Sequence, residues 1–108
     1  MVADIKRFEI YLVKLNPTIG SEIQKTRPCI VISPDEMSAL KTVIVVPMTS
    51  KGFDFVFRPR IHFENKDGLA LLDQIRAVDK SRLVKKIGEV DTKTSKDIAN
   101  ILVKMFAY

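Results

Sequence analysis

Short apolar runs rich in β-branched and aromatic residues recur along the chain, separated by polar segments that contain glycine, proline or asparagine. Such runs, bounded by turn-forming residues, are typical of β-strands. We therefore predict strands within residues 5–15, 29–33, 42–47, 55–63, 69–78 and 83–90. The run at 29–33 is apolar up to its last residue, so we expect it to be buried on both faces.

The hydrophobic period changes near the end of the chain. Four apolar residues there recur at i, i+3, i+4 and i+7, the spacing of an amphipathic helix: Ile98, Ile101, Leu102 and Met105. We predict this helix at residues 93–106. A shorter helix is predicted after Ser33, which could cap it, with Pro34 at its first position. Strands with one connecting helix and one C-terminal helix indicate a compact, barrel-like α+β domain that spans residues 1–108.

Prolines and glycines locate the ends of these elements. Pro28 has no N–H for a sheet ladder, so we expect it at the first residue of its strand, with Arg27 extended at the strand's mouth. Pro47 is expected to end a strand, and Pro59 indicates an edge strand or a break. Asp67-Gly68 is expected to end a hairpin turn that begins at Asn65. The Arg27 guanidinium could bind a ligand or pair with a nearby carboxylate.

Composition and charge narrow the class of protein. The chain is 46% apolar and 29% charged, as expected of a folded globular protein. Its single cysteine, Cys29, fits a reducing compartment, and no signal peptide or membrane-spanning run is evident, so we expect a soluble, cytoplasmic protein. The net charge is +5, and residues 51–86 hold nine basic against five acidic residues. This balance favours a polyanionic partner, although a solvated sheet surface would have the same composition.

Several classes of chemistry are disfavoured. One cysteine and one histidine cannot form a zinc site, and the carboxylates do not cluster, so we predict no metal. His62 lies in an alternating run, where a structural or surface role is the commoner one. The nucleophile elbow, the phosphate-binding P-loop and the dinucleotide-binding glycine pattern are all absent from the sequence, so we predict no cofactor.

The remaining polar residues suit phosphate chemistry. Arg27 offers a planar fork that matches phosphate oxygens. The hydroxyls of Thr49 and Ser50 follow a strand, and Glu22 could take a proton. These are the groups needed to cleave RNA by attack of its own 2′-hydroxyl, a reaction that requires no metal and no covalent enzyme intermediate.

Three blocks of the sequence resemble the MazF/PemK family of toxin endoribonucleases. The first combines Gly20-Ser21-Glu22 with Lys25-Thr26-Arg27-Pro28, and the second is Val46-Pro47-Met48-Thr49-Ser50. The third is GLALLDQIRAVDKSR at residues 68–82, followed by IGEV at 87–90. The blocks occur in the family's order and spacing and cover most of the chain.

The resemblance implies a fold, an activity and partners. It implies an SH3-like β-barrel of mainly antiparallel strands, a homodimer, and metal-independent, sequence-specific cleavage of single-stranded RNA. The products would carry a 2′,3′-cyclic phosphate and a 5′-hydroxyl, and a cognate antitoxin would block the RNA site.

The resemblance also assigns roles to residues. It gives Arg27 the role of the catalytic arginine and Thr49 that of the threonine bonded to the scissile phosphate. Glu22 falls where some members place a proposed base. The predicted RNA-contacting residues are Lys25, Ser50, Phe53, Gln74 and Arg76.

Two local features leave alternatives open. Phe53, Phe55 and Phe57 alternate, so Phe55 and Phe57 are expected to lie in the core, whereas Phe53 is the better candidate to stack an unpaired base. Asp73 and Arg76 could pair with each other. Many members of the family have Arg-Gly before an acidic residue where this chain has Arg7-Phe8-Glu9. The simplest interpretation is that the strand enters without a kink, because phenylalanine resists positive φ.

Two other functions fit the same general fold. A gyrase-poisoning toxin shares this architecture, but it would need no Arg27–Thr49 pair for phosphate chemistry. A nucleic-acid-binding barrel without catalysis would retain RNA binding but give no product.

Overall fold

The computed structural model of the protein describes residues 4–108, so the first three residues of the predicted domain lie outside it. Its strands are β1 Glu9–Lys14, β2 Thr26–Val31, β3 Thr42–Thr49, β4 Arg60–Phe63, β5 Lys66–Ala70, β6 Arg76–Asp79 and β7 Leu83–Glu89. They form an antiparallel sheet in the order β4-β5-β3-β2-β1-β7, and β6 also pairs with β3. A single α-helix, α1 Thr92–Phe106, follows.

The sheet curls until its two edge strands meet. The ring of Phe63 on β4 packs over Gly88 on β7, where an added Cβ would lie 2.5 Å from the ring atom Cε1. Gly88 therefore provides the space in which the seam of the barrel closes. The curled antiparallel sheet with a C-terminal helix confirms the predicted α+β barrel-like fold.

Both faces of the central strands are buried. Successive strand residues point to opposite faces, so Ile30 joins a helix-side core that includes Ile98 of α1, while Cys29 and Val31 join a core on the opposite face. We call the second the loop-side core, because Ile23 of the β1–β2 loop (residues 15–25) packs against it. The expectation that this strand is buried on both faces is confirmed.

Helix α1 agrees closely with the prediction. It begins one residue earlier than expected, and the Asp91 carboxylate caps it by accepting a hydrogen bond from Thr94 N at 2.7 Å. The four periodic apolar residues all pack against the helix-side core. No helix within residues 4–108 is long and apolar enough to cross a membrane.

The single strand predicted at residues 69–78 is wrong. A 3-10 turn, Leu72–Gln74, separates β5 from β6. Leu71 and Leu72 are both buried, but burial does not distinguish the turn from a strand here, because consecutive residues of β2 are buried as well. The turn is stabilised by a hydrogen bond from Gln74 N to Leu71 O at 3.0 Å.

The predicted hairpin turn is displaced towards the N-terminus. Glu64 and Asn65 form the two-residue loop, with φ of 52° and 60°, and Phe63 pairs with Lys66. Two successive positive φ values are those of a type I′ turn, which matches the twist of a hairpin. Asp67 and Gly68 consequently lie inside β5 and not in the turn.

Prolines and a serine also behave differently from expectation. β2 begins two residues before Pro28, which lies just outside the β2–β3 ladder because that ladder starts at Cys29 and Pro47. β3 continues through Pro47 to Thr49. Ser33 does not cap the following turn, the 3-10 segment Asp35–Ala39. Its hydroxyl accepts a hydrogen bond from Ile44 N instead.

The kink before β1 is present although phenylalanine occupies it. Phe8 has a φ of 66°, so the interpretation that the strand enters without a kink is wrong. Two backbone hydrogen bonds hold the residue, from Phe8 N to Val31 O at 2.7 Å and from Val90 N to Phe8 O at 2.9 Å. The Arg7 guanidinium lies 5.0 Å from the centroid of the Phe8 ring. These contacts offset the cost of a left-handed conformation at a bulky residue.

Candidate active site

Arg27 and Thr49 lie just beyond the end of the β2–β3 ladder. The last pair of that ladder is Cys29 with Pro47, and Arg27 and Thr49 each lie two residues past it. Both residues lie an even number of positions from this pair, so their side chains share the loop-side face. On their other edges Arg27 pairs with Val13 of β1 and Thr49 pairs with Leu69 of β5, so each residue is held in the sheet from one side. Between them the β2–β3 ladder has already ended.

The Arg27 side chain is available for a ligand. Arg27 is exposed, and its guanidinium forms no ion pair or hydrogen bond with any residue in the range 4–108. The alternative in which a neighbouring carboxylate neutralises Arg27 is not observed in this part of the chain.

Thr49 is half-buried and has a defined hydrogen-bonding role. Its Oγ1 accepts a hydrogen bond from Lys51 N at 3.2 Å, which leaves the hydroxyl proton free to be donated. Its carbonyl packs tightly against Gly68 of β5, where an added Cβ would lie 2.8 Å from Thr49 O. Gly68 therefore fixes the position of the strand end that carries the hydroxyl. Ser50 follows it as an exposed residue.

A cavity of about 400 Å³ opens on the same face of the sheet. Its walls come from the β1–β2 loop, the end of β3, the turn Leu72–Gln74 and the start of β6. It is lined by Leu15, Glu22, Ile23, Pro47, Asp73, Gln74, Ile75 and Arg76. Pro47 lies two residues before Thr49 on the same face of β3, so the cavity lies on the face of the sheet that carries Arg27 and Thr49. We call it the site cavity.

Glu22 and Lys25 have structural roles within the β1–β2 loop. The Glu22 carboxylate accepts a hydrogen bond from Ile19 N at 2.8 Å, while Glu22 N donates to Ile19 O. Lys25 has a φ of 68°, and its N–H donates to the side-chain oxygen of Asn16. Glu22 thus faces the site cavity with one carboxylate oxygen already engaged, and the exposed Lys25 side chain extends from an ordered turn.

Gln74 and Arg76 hold the same loop from the opposite wall. Gln74 Oε1 accepts a hydrogen bond from Ile23 N at 2.9 Å, and Arg76 Nη1 donates to Leu15 O at 3.2 Å. Gln74 therefore retains its amide N–H groups for a ligand in the cavity, whereas one nitrogen of Arg76 is already in use. The contact of both residues with RNA stays a prediction, and both position the β1–β2 loop.

Asp73 pairs with Arg58 and not with Arg76. Arg58 Nε lies 2.9 Å from Asp73 Oδ1, and Nη2 lies 2.8 Å from Oδ2, so the pair is bidentate. The hydrogen bond from Arg58 lowers the pKa of Asp73 despite partial burial, and the same bond raises the pKa of Arg58. The carboxylate is therefore ionised at neutral pH and already occupied.

The aromatic residues lie in an exposed loop at residues 50–59, which we call the aromatic loop. Phe53 is 71% exposed, as expected of a side chain that could stack on a base. Phe55 is 50% exposed, so its predicted core position is wrong, and Phe57 is only partly buried. The two rings contact edge to face at 6.0 Å. The alternation reflects this local contact and not a buried strand face.

Other titratable residues do not form a second site. Burial raises the pKa of Cys29 to about 12, so this thiol remains protonated and unreactive. His62 is exposed and bonds to Asp67 across the β4–β5 hairpin. Within residues 4–108, no group of three histidine, cysteine or acidic side chains lies close enough to hold a metal ion.

Two site contacts could not be found from the sequence. Arg58 and Asp73 are 15 positions apart, and neither belongs to a spacing that predicts a pair. Asn16 belongs to no motif that predicts a site contact, yet its side-chain oxygen accepts a hydrogen bond from Lys25 N. These contacts depend on the path of two loops, and the spacing of apolar residues in the sequence does not predict that path.

Sequence comparisons place the chain among known proteins. The family model described as "PemK-like, MazF-like toxin of type II toxin-antitoxin system" matches residues 6–106. The chain belongs to this toxin family. A relative named Endoribonuclease MazF from Staphylococcus saprophyticus is 31% identical over 105 residues, which cover 91% of this chain and 88% of the relative. A second protein of that name, from Staphylococcus epidermidis, is 33% identical over 91 residues, covering 77% and 75%.

Solved structures of PemK/MazF-like toxins share the fold. The crystal structure of MazF from Deinococcus radiodurans has a TM-score of 0.83 at 20% identity, covering 96% of this chain and 97% of that one. A mycobacterial endoribonuclease, solved in complex with its cognate antitoxin, has a TM-score of 0.77 at 17% identity, covering 94% and 93%. The predicted family resemblance is thus confirmed.

Proposed function

We propose that this PemK/MazF-like toxin is a sequence-specific endoribonuclease that cleaves single-stranded RNA without a metal ion and is inhibited by a cognate antitoxin. The observation that supports the proposal is that Arg27 and Thr49 each lie two residues past the Cys29–Pro47 pair, on the face of the sheet that holds the site cavity. A cationic fork and a hydroxyl donor on one face of a sheet are suited to a phosphodiester.

The proposed reaction uses the nucleophile of the RNA itself. The 2′-oxygen attacks the adjacent phosphorus, the bond from phosphorus to the 5′-oxygen breaks, and the products are a 2′,3′-cyclic phosphate and a 5′-hydroxyl. Arg27 stabilises the charge that develops on the phosphorane oxygens, and the Thr49 hydroxyl donates to the same phosphate. The proton of the 2′-hydroxyl leaves as the bond forms, and the departing 5′-oxygen gains one.

Glu22 is the proposed acceptor of the 2′-hydroxyl proton. It lines the site cavity, and its bond to Ile19 N occupies one carboxylate oxygen, leaving the other for the substrate. Arg27 is the proposed donor to the leaving oxygen. These assignments rest on the position of each side chain and on family membership.

The RNA-contacting residues surround the reacting phosphate. We propose that Lys25 and Ser50 contact the backbone, that Phe53 stacks on an unpaired base, and that Gln74 and Arg76 contact the nucleotide in the site cavity. A protruding aromatic ring suits an unpaired base because every base offers a π-face. The basic excess of residues 51–86 adds a sequence-independent attraction for RNA.

The proposal extends to assembly and location. We propose that residues 1–108 act as one cytoplasmic domain, that the toxin is a homodimer, and that the antitoxin covers the RNA site. Support for an apolar contact surface comes from Val103 and Phe106 of α1, which are 68% and 66% exposed. Light scattering of the purified protein measures the oligomeric state directly.

The cleavage test uses end chemistry and a matched pair of variants. Wild-type protein is incubated with single-stranded RNA in EDTA, and the products are assayed for 5′-hydroxyl ends. Thr49→Val keeps the shape but removes the hydroxyl, so we expect its rate to fall by about 10²-fold, the usual cost of one transition-state donor. Thr49→Ser restores a hydroxyl and is the control. A protein that inhibits supercoiling by gyrase and leaves RNA intact would overturn the proposal.

A further inference from the structure

The turn Leu72–Gln74, which supplies part of the lining of the site cavity, contacts two surface loops. Its Gln74 side chain accepts from Ile23 N in the β1–β2 loop. Its Asp73 carboxylate receives two hydrogen bonds from Arg58 in the aromatic loop, at 2.9 and 2.8 Å. One short segment therefore fixes the positions of two surface loops relative to the same cavity.

The Arg58–Asp73 pair differs from the other ion pair of the aromatic loop. The side chains of Arg58 and Asp73 are 26% and 36% exposed, and both carboxylate oxygens are used. Arg60 and Asp54 are joined through one nitrogen, with exposures of 62% and 77%. A bidentate arginine–carboxylate pair that is partly shielded from solvent fixes the relative position of its two side chains, whereas an exposed pair contributes little to stability. We call the first pair the Arg58–Asp73 clamp.

The clamp acts at the base of the aromatic loop. Backbone hydrogen bonds from Leu72 N to Phe57 O and from Ala70 N to Pro59 O tie residues 57–59 along β5 and the turn. The tip of the loop has no backbone hydrogen bond to β5 or to the turn, and it presents the exposed side chains of Phe53 and Val56. The orientation of the tip is therefore set by the anchored segment on which it stands.

We propose that Arg58 and Asp73 are positioning residues that hold the aromatic loop beside the site cavity, so that RNA bases flanking the cleaved bond are bound by a preset surface. This inference rests on the proposed function. It assigns the clamp to RNA binding and not to the chemical step, because neither residue faces Arg27 or Thr49 across the β2–β3 register.

The test compares two substrates that differ in how far they extend from the cleaved bond. A twelve-nucleotide RNA reaches the aromatic loop, whereas a dinucleotide spans only the phosphate beside Arg27. We expect Asp73→Asn to raise KM for the longer RNA by about tenfold, which corresponds to losing about one base-stacking contact. The value of kcat should change by less than about twofold. Activity on the dinucleotide should be unchanged. Asp54→Asn, which breaks the exposed pair in the same loop, is the matched control.

A double-mutant cycle separates the clamp from independent effects. Arg58→Lys keeps the charge but loses the fork. If the pair acts as a unit, Arg58→Lys with Asp73→Asn raises KM no further than either change alone. If the two changes raise KM additively, the proposal is overturned. Equal losses of activity on the longer RNA and on the dinucleotide would also overturn it, because they would show that Asp73 acts in the chemical step. Thermal unfolding of each variant identifies loss of fold.

A fluorescence probe keeps the inference distinct from the proposed function. The chain contains no tryptophan, so Phe53→Trp gives a single emission that reports on the tip of the aromatic loop. RNA should change this emission, and Asp73→Asn should shift the half-effect concentration upward by about tenfold. If the parent neither binds nor cleaves RNA, the proposed function fails. If the Phe53→Trp protein binds and cleaves RNA, and adding Asp73→Asn leaves the half-effect concentration unchanged, only the proposal for the Arg58–Asp73 clamp fails.

Discussion

The close contact between Gly68 and Thr49 yields a quantitative prediction about catalysis. In Gly68→Ala the new Cβ would lie 2.8 Å from Thr49 O, whereas ordinary contacts begin near 3.4 Å and real ones essentially never fall below 3.0 Å. The atom it meets is backbone, so relief requires β3 and β5 to move apart by a few tenths of an ångström. The Thr49 hydroxyl moves with its strand.

The expected size of the effect follows from that displacement. A misplacement of about 1 Å can cost a reaction about 10²-fold, so a few tenths should lower kcat about three- to tenfold. Overpacking of this kind should also lower the free energy of unfolding by about 1–3 kcal/mol. Rates are measured by single-turnover RNA cleavage at a temperature where unfolding curves show each variant fully folded.

Gly88→Ala is the matched control for this prediction. Its Cβ would meet the ring of Phe63 at 2.5 Å, at the barrel seam, on a strand that does not pair with β3. We expect a comparable loss of stability with little change in kcat for the folded protein. If Gly68→Ala cleaves RNA at the wild-type rate while fully folded, the claim that Gly68 positions Thr49 is refuted. Equal losses of kcat in both variants would refute it as well.

Two further predictions concern stability. Phe8 has positive φ, so Phe8→Gly should be more stable than Phe8→Ala by about 1 kcal/mol in the free energy of unfolding, measured with urea. Alanine is usually the more stabilising of the two residues. A more stable Phe8→Ala protein would show that the kink carries no strain. Burial opposes ionisation of Glu9, but hydrogen bonds from Lys86, Lys6 N and Tyr11 lower its pKa below the ordinary 4.5. Its contribution to stability is therefore complete above that pH and lost as pH falls through the folded pKa. Glu9→Gln should remove this part of the acid dependence, whereas exposed Glu36→Gln should keep it.

The elements with a clear period were predictable. The spacing of Ile98 and its neighbours predicted α1 to within a residue at its start, because an amphipathic helix reports its own buried face. The β-branched run around Ile30 likewise predicted a strand buried on both sides. The family-like order of the three blocks predicted the curled sheet that carries Arg27 and Thr49 on one face.

The errors arise where tertiary contacts override local preference. Phe8 keeps a left-handed conformation because backbone partners on two other segments hold it. The strand predicted through residues 69–78 is interrupted by the turn Leu72–Gln74, whose Asp73 and Gln74 side chains bind two loops that are distant in sequence. The Arg58–Asp73 clamp depends on where a loop returns to the sheet, and sequence spacing contains no information about that path.

If Arg27 stabilises the reacting phosphate, the rate of RNA cleavage depends on its guanidinium. The wild type, Arg27→Ala and Arg27→Lys are compared by single-turnover cleavage of one RNA in EDTA. Arg27 is exposed, and its side chain has no partner within residues 4–108. The free energy of unfolding of both variants should therefore differ from that of the wild type by less than about 0.5 kcal/mol. We predict a rate at least about 10²-fold lower for Arg27→Ala, with partial recovery in Arg27→Lys, which keeps the charge without the fork. A folded Arg27→Ala protein that cleaves RNA at the wild-type rate would contradict the account.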